Sequence, residues 1–334
     1  MATRLLSFFF FLLVAPSWCT YAALLLSVAS DGSGNFTTIR EAIEFAPSGS
    51  SSRTTIMLKA GIYYENLVVP RDKENLTLLG EGSSVTVITG NRSHAGGWSM
   101  HDTATVYVEA AGFAAHNLTF QNTAGPSGGQ AVALHVEGDR SVFYRCVING
   151  YQDTLYAHNG HQFYRDCVIL GTVDFIFGDA AAVFQNCTIF PRGNHGGAIT
   201  AHSRSDNVEN TAFSFHRCSV TGLSDGGEGV RQGSFYLGRP WKPYARVVFL
   251  RTYMDDVINK EGWVPWDGPG TEMPRTVYYW EFENTGPGAD VLGRLKVEGV
   301  RQIGEDEASR FTVGPLIAGD LWIPATGVPF NSQL

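Results

Sequence analysis

Two aspartates follow two cysteines at the same distance along the chain. Asp153 lies seven residues after Cys146, and Asp174 lies seven residues after Cys167. The segments "FYRCVINGYQDTLY" and "FYRDCVILGTVDFIFG" share an aromatic–polar–cysteine–aliphatic frame. Two carboxylates held side by side cannot both ionise freely, so one of them keeps a proton. Such a pair supplies a general acid and a nucleophile or base, whereas aspartates that only form turns would do neither.

Further polar and aromatic residues accompany this pair. Gln152 precedes Asp153, and Gln130 lies about one repeat earlier in "GQAVALH". Side-chain amides donate to a developing oxyanion without adding charge, although glutamines also satisfy ordinary turn and interior hydrogen bonds.

The segment "YLGRPWKPY" contributes two more candidates. Arg239 can hold a carboxylate by a bidentate contact, and Trp241 offers a flat face for a sugar ring or, alternatively, for core packing. Tyr156 and Phe177 are candidates to line the same groove.

The cysteine frames recur at spacings of 21, 20 and 31 residues, ending on Cys146, Cys167, Cys187 and Cys218. Repeats of about 20 residues with short strands are typical of a parallel β-helix, an all-β solenoid in which equivalent positions stack into ladders. We therefore expect the cysteines to form an interior ladder, with or without disulfides, and the two aspartates to stack. Residues 37–47 predict a short capping helix, and the chain after about residue 270 predicts a tail packed along the coil.

Composition sets the broad class. The 334 residues are 44% hydrophobic with a formal net charge of −8, and the absence of a basic stripe argues against nucleic-acid binding. Residues 1–22 combine an early arginine, an apolar run and small residues, which predicts a secretory signal followed by one domain over residues 23–334. We expect a secreted, monomeric protein without a membrane anchor after signal removal. Five glycosylation sequons occur, of which we expect only some to be used: Asn35, Asn75, Asn91, Asn117 and Asn186.

Five motifs together resemble the plant pectin methylesterases (pectinesterases). They are "GIYYEN", "QAVAL", "GYQDTLY", "GTVDFIFG" and "LGRPW", and the likeness runs from about residue 30 to about residue 326. The resemblance implies a right-handed parallel β-helix that removes methyl esters from galacturonate residues of homogalacturonan in the plant cell wall, without metal or cofactor. It also implies a form lacking the family's inhibitory pro-region, and a proteinaceous pectin methylesterase inhibitor as a partner.

The resemblance assigns a role to each motif residue. Asp174 corresponds to the nucleophile, and Asp153 to the acid that protonates methanol and then activates water. Gln130 and Gln152 correspond to the oxyanion hole. Arg239 corresponds to the residue that orients the nucleophile, and Trp241 to one that binds sugar.

Some positions depart from the family's usual residues. Met100 aligns loosely with a substrate-binding threonine, and Asp179 replaces an asparagine. His202 and Ser203 replace glutamine and glycine, and His135 replaces an arginine. These departures bear on subsite preference and pH optimum, and they leave the catalytic groups intact.

Alternative chemistries have weaker signals. Ser127 lies in "GPSGG", which formally matches a serine-hydrolase elbow, but the following "QAVALHV" reads as a strand where that motif needs a helix. His158 and His161 have an H-x-x-H spacing without an obvious carboxylate partner. A polygalacturonase-like glycoside hydrolase would also use two carboxylates, and a non-catalytic wall-glycan-binding β-helix would need no oxyanion donors.

Overall fold

The computed structural model describes residues 24–223 and 229–334. The predicted secretory signal over residues 1–22, with Cys19, lies outside the described residues. Within the described ranges, no helix combines the length and apolarity needed to cross a membrane.

Short parallel strands form three sheets that run the length of the molecule. The eleven-stranded sheet comprises Leu24–Val28, Thr54–Leu58, Leu76–Gly80, Ala114–His116, Ser141–Tyr144, His161–Arg165, Ala181–Gln185, Ala212–His216, Arg246–Leu250, Tyr278–Phe282 and Val300–Gln302. The eight-stranded sheet comprises Gly61–Tyr64, Thr86–Gly90, Thr119–Asn122, Val147–Asn149, Val168–Gly171, Thr188–Pro191, Ser219–Val220 and Tyr253–Met254. The seven-stranded sheet comprises Leu67–Val69, Val106–Val108, Leu134–Val136, Leu155–Ala157, Ile176–Gly178, Gly197–His202 and Phe235–Pro240.

The register of these sheets confirms the parallel β-helix. Val147 pairs with Val168 in the eight-stranded sheet, and Leu155 pairs with Ile176 in the seven-stranded sheet. Both pairs are 21 residues apart, which is the first cysteine spacing. Successive repeats therefore stack as coils, and each coil of this region contributes one strand to each sheet.

The interior consists of stacked ladders of like side chains. Phe143, Tyr164, Phe184, Phe215 and Phe249 stack with successive ring-centroid distances of 4.9, 4.6, 4.6 and 4.5 Å. The predicted cysteine ladder is present as four buried free thiols, at Cys146, Cys167, Cys187 and Cys218. Their sulfurs contact backbone carbonyls of the preceding coil, so they behave as small interior residues.

Helices occupy the ends and one side of the solenoid. The capping helix is Ile39–Phe45, where Thr38 caps the first turn by accepting from the Glu41 amide. Two further short helices, Glu305–Ser309 and Val313–Ile317, lie in the tail. The remaining described helices are 3-10 turns: His101–Thr103, Pro126–Gly128, Pro287–Ala289, Gly319–Leu321 and Ile323–Thr326.

The tail packs against the outer face of the eleven-stranded sheet, as the sequence predicted. Leu316, Ile317 and Ile323 share an apolar cluster with strand residues such as Val142 and Phe163. This side of the solenoid is therefore covered by the tail, while the functional groups lie on another sheet.

Two predicted glycosylation positions lie between strands and not within them. Asn117 and Asn186 have φ of 55° and 56°, the left-handed conformation that asparagine tolerates better than most residues. Both turn the chain from one sheet to the next, and Asn186 is exposed.

Candidate active site

An outward-facing ladder on the seven-stranded sheet contributes part of the site. Strand alternation sends Leu134 and Val136 into the core and the residue between them outward. Strand pairing then aligns one outward residue from each coil: Tyr107, His135, Tyr156, Phe177, Ala201 and Arg239.

Asp153 and Asp174 sit at equivalent points of adjacent coils, each two residues before the paired Leu155 and Ile176. Both have left-handed backbone conformations, with φ of 60° and 50°. The Asp153 amide donates to Val173 O at 3.2 Å, so the coil carrying Asp174 holds the backbone of Asp153 directly. Each side chain belongs to a residue that is only 5% exposed. The repeat therefore places two buried carboxylates side by side.

Arg239 forms an ion pair with one of the two aspartates, Asp174. Its Nε donates to Asp174 Oδ1 at 2.8 Å and its Nη2 donates to Asp174 Oδ2 at 2.5 Å. The third guanidinium nitrogen donates to the carbonyl of Trp266 at 3.1 Å, and the guanidinium carbon lies 4.2 Å from the Trp266 ring centroid. This bidentate contact fixes both carboxylate oxygens of Asp174.

The surroundings give the two carboxyl groups different proton affinities. Burial, together with the charge of Asp174, raises the pKa of Asp153 to about 8, while hydrogen bonds from the amides of Gln130 and Gln152 oppose that rise. Burial also raises the pKa of Asp174, and the Arg239 ion pair opposes it. Because the cation contacts Asp174 directly, the proton resides on Asp153 and the negative charge on Asp174 at neutral pH.

These groups converge on one cavity of about 140 Å³. Seven of the eight residues singled out from the sequence line it: Gln130, Gln152, Asp153, Asp174, Phe177, Arg239 and Trp241. Met100, Ala201 and Trp266 complete the lining. A cavity with amide donors, a paired carboxylate and aromatic faces fits a polar ligand better than an apolar one.

Tyr156 departs from its predicted place. It does not line this cavity, because its ring is stacked between His135 and Phe177 at centroid distances of 4.4 and 4.3 Å and is 4% exposed. Its contribution to the site is to support the Phe177 ring from the neighbouring coil.

Trp266 was not identified from the sequence. It lies in the irregular segment "WVPWDGPG", outside the repeats that reveal the other site residues, and only its contact with Arg239 shows its place. A tryptophan next to prolines and glycines, just before the predicted tail, was the available signal.

Four of the five departures from the family pattern lie outside the cavity lining: Asp179, His202, Ser203 and His135. Burial raises the pKa of Asp179 to about 6, with a further contribution from Glu209, and the Thr211 hydroxyl donates to its carboxylate at 2.6 Å. His202 is fully buried, and burial lowers its pKa to about 3. Met100, in contrast, lines the cavity.

The competing motifs do not assemble. Ser127 lies exposed in the 3-10 turn Pro126–Gly128, so the strand–turn–helix elbow of serine hydrolases is missing at this position. His161 bonds to Asp139 at 2.8 Å, whereas His158 contacts His135 and Glu137, so the H-x-x-H pair does not converge.

Comparison with known proteins decides the family. A family model described as Pectinesterase matches residues 25–320. The chain belongs to the pectinesterase family. It is 50% identical over 310 residues to an Arabidopsis thaliana protein named "Probable pectinesterase/pectinesterase inhibitor 17", covering 92% of this chain and 59% of that protein. The chain thus spans about three fifths of the length of this relative.

Solved structures of pectinesterases have the same fold. Pectin methylesterase from carrot superposes with a TM-score of 0.89 at 44% identity, covering 92% of this chain and 98% of the carrot chain. A pectin methylesterase solved in complex with a hexasaccharide superposes with a TM-score of 0.75 at 29% identity, covering 94% of this chain and 99% of the other.

Proposed function

We propose that this pectinesterase-family chain hydrolyses the methyl esters of galacturonate residues in homogalacturonan and releases methanol. The observation that carries the proposal is the stacked pair in which Arg239 holds both carboxylate oxygens of Asp174 beside the buried Asp153. Burial and the charge of Asp174 raise the pKa of Asp153 to about 8, which suits it to act as an acid. Its solved relative with a bound hexasaccharide and its carrot relative named for pectin support this substrate class.

In the first half of the reaction, a carboxylate oxygen of Asp174 attacks the ester carbonyl carbon. The carbonyl electron pair moves to oxygen, and the amides of Gln130 and Gln152, which line the cavity, donate to the oxyanion. Collapse of this intermediate breaks the bond to the methoxy group, which takes the proton of Asp153 and leaves as methanol. An acyl anhydride with Asp174 remains.

In the second half, the ionised Asp153 takes a proton from water as the water oxygen attacks the acyl carbon. The bond to Asp174 breaks, and its carboxylate returns to the guanidinium of Arg239. The new galacturonic acid then loses its proton to solvent at neutral pH. Asp153 ends the cycle protonated, ready for the next ester.

The products distinguish this proposal from glycoside hydrolysis, which also uses two carboxylates. We would incubate the purified protein with highly methylated pectin and measure methanol and new reducing ends in the same samples. Methanol without reducing ends supports the esterase. Reducing ends without methanol would show that glycosidic bonds are cleaved. Binding of pectin with neither product would indicate a glycan-binding module.

The proposal also covers the location, the oligomeric state and a protein partner of the enzyme. We infer a secreted protein that acts as a monomer on the plant cell wall and that is a target of proteinaceous pectin methylesterase inhibitors. Secretion of a tagged chain from plant cells, gel filtration and inhibitor titration of methanol release test these three points separately.

A further inference from the structure

Three histidines from different parts of the chain meet at one point beside the site. His101 begins the 3-10 turn His101–Thr103, His135 lies on the strand Leu134–Val136, and His158 directly follows the strand Leu155–Ala157. One ring nitrogen from each lies within 4.8 Å of the other two. The proposed ester hydrolysis uses none of these rings.

Hydrogen bonding alone does not satisfy this cluster. His158 Nδ1 lies 3.0 Å from His135 Nε2 and also 3.0 Å from Glu137 Oε1. Each ring nitrogen of a neutral imidazole carries either one proton or a lone pair. His158 Nδ1 therefore cannot both donate a proton to Glu137 and accept one from His135. His135 is completely buried, so solvent does not hydrate its ring.

A metal ion would accommodate the same atoms without this conflict. Donor atoms that share a tetrahedral zinc ion, with bonds of about 2.0–2.1 Å to the metal, lie about 3.3 Å from one another. The separation of His158 Nδ1 from His135 Nε2, 3.0 Å, is close to that spacing. His101 is exposed on a short turn, and its ring nitrogen already lies within 4.8 Å of the other two.

The Glu137 carboxylate beside the cluster is already oriented. Arg71 Nη2 donates to Glu137 Oε2 at 2.8 Å, and the Tyr107 hydroxyl also bonds this carboxylate. The other oxygen, Oε1, is the one that faces His158. Held partners of this kind orient the ligands of metal sites.

We propose that His101, His135 and His158 bind one divalent transition-metal ion, and that zinc is the ion this donor set fits best. Three imidazole ligands with the fourth position left to solvent are an established arrangement for zinc. The ion would join the turn that follows Met100 to two strands of the seven-stranded sheet, and so reinforce one wall of the cavity. The site stands independently of the esterase proposal, since no step of that reaction passes through it.

Zinc binding to the whole chain tests the site directly. We would strip the untagged protein with chelator, titrate it with zinc chloride by calorimetry and count bound zinc after equilibrium dialysis. The variants are His101→Ala, which changes an exposed side chain, and Glu137→Gln, which changes the carboxylate that faces His158. His161→Ala is the matched control, because His161 is half-exposed and paired with Asp139 outside the cluster.

We expect one zinc per wild-type chain, unchanged in His161→Ala and at least about 10-fold weaker in His101→Ala and Glu137→Gln. Bound cobalt should show the visible absorption of a tetrahedral ion in the wild type and lose it in His101→Ala. Thermal unfolding of each stripped variant establishes that it is folded. A wild type that binds no stoichiometric zinc, or a His101→Ala variant with wild-type affinity, would overturn the proposal.

Discussion

Asp153 and Asp174 have the same side chain and the same 5% exposure, and their contacts make them chemically different. Asp174 is fixed by a bidentate guanidinium, whereas Asp153 receives only neutral amide donors and the repulsion of its neighbour. This difference supports the proposed roles of Asp174 as nucleophile and Asp153 as acid. The sequence spacing was enough to predict the pair, and the motif resemblance supplied the roles.

The pH profile follows from this difference. In the proposed reaction Asp153 must be protonated to expel methanol, so kcat/KM should fall as pH rises through about 8, the pKa to which burial and Asp174 raise it. Asp174 must be ionised, and because burial raises its pKa, the acidic limb should lie above pH 3.9, roughly the ordinary aspartate value. Methanol release from pH 4 to 9, with an enzyme-free blank for alkaline saponification, checks both limbs. A rate that keeps rising to pH 9 would contradict the assignment of Asp153.

Arg239 fixes both carboxylate oxygens of Asp174, the proposed nucleophile, so we expect the shape of this side chain to matter as well as its charge. Arg239→Lys keeps a cation but loses the bidentate contact, and we expect kcat/KM for methanol release to fall by about 100-fold. Arg251→Lys is the matched control, because Arg251 pairs with the exposed Glu283 away from the cavity. An Arg239→Lys variant within twofold of wild type would show that charge alone suffices.

At the scale of elements, the coil register converts a sequence repeat into a three-dimensional site. Cysteine frames 21 residues apart were sufficient to predict stacked strands, because each coil repeats the same turn. Met100 was noted only as a loose alignment, and Trp266 was missed, because both lie in irregular segments with no periodic pattern. The histidine cluster was also not predicted. His101 lies 34 residues before His135 along the chain, in a segment outside the strand repeats, so no spacing pattern connects the two.

The interior aromatic ladder should carry much of the stability. Phe184 is fully buried between Tyr164 and Phe215, so Phe184→Ala should cost about 3–5 kcal/mol of unfolding free energy and lower the Tm by about 10 °C. Phe45→Ala, at a position that is 63% exposed, should change stability by less than about 0.5 kcal/mol. Thermal or denaturant unfolding measures both. Equal effects of the two substitutions would mean that the ladder does not dominate the core.

At the scale of the whole molecule, different sheets have different roles. The seven-stranded sheet presents the cavity, and the eleven-stranded sheet is covered by the tail. Tail packing was predictable from its apolar and turn-forming composition. Its contacts were not, because they join residues such as Ser214 and Phe311 that are 97 positions apart.

Substitutions in the tail should therefore separate stability from chemistry. Leu316→Ala removes a side chain that is 4% exposed and should cost about 2–5 kcal/mol, with kcat/KM of the folded enzyme within twofold of wild type at 25 °C. Leu321→Ala, at 86% exposure, is the matched control and should leave the Tm unchanged. A large loss of kcat/KM in folded Leu316→Ala would mean that the tail shapes the cavity.

The central claim is that the stacked pair performs ester hydrolysis, and one measurement tests it most directly. Methanol release from highly methylated pectin would be compared for the wild type, Asp153→Asn, Asp174→Asn and the control Asp179→Asn, which changes a carboxylate bonded to Thr211 outside the cavity lining. We predict losses of at least about 1000-fold in the two pair variants and a change of less than about tenfold in the control. Folded Asp153→Asn or Asp174→Asn protein with near wild-type methanol release would contradict the account.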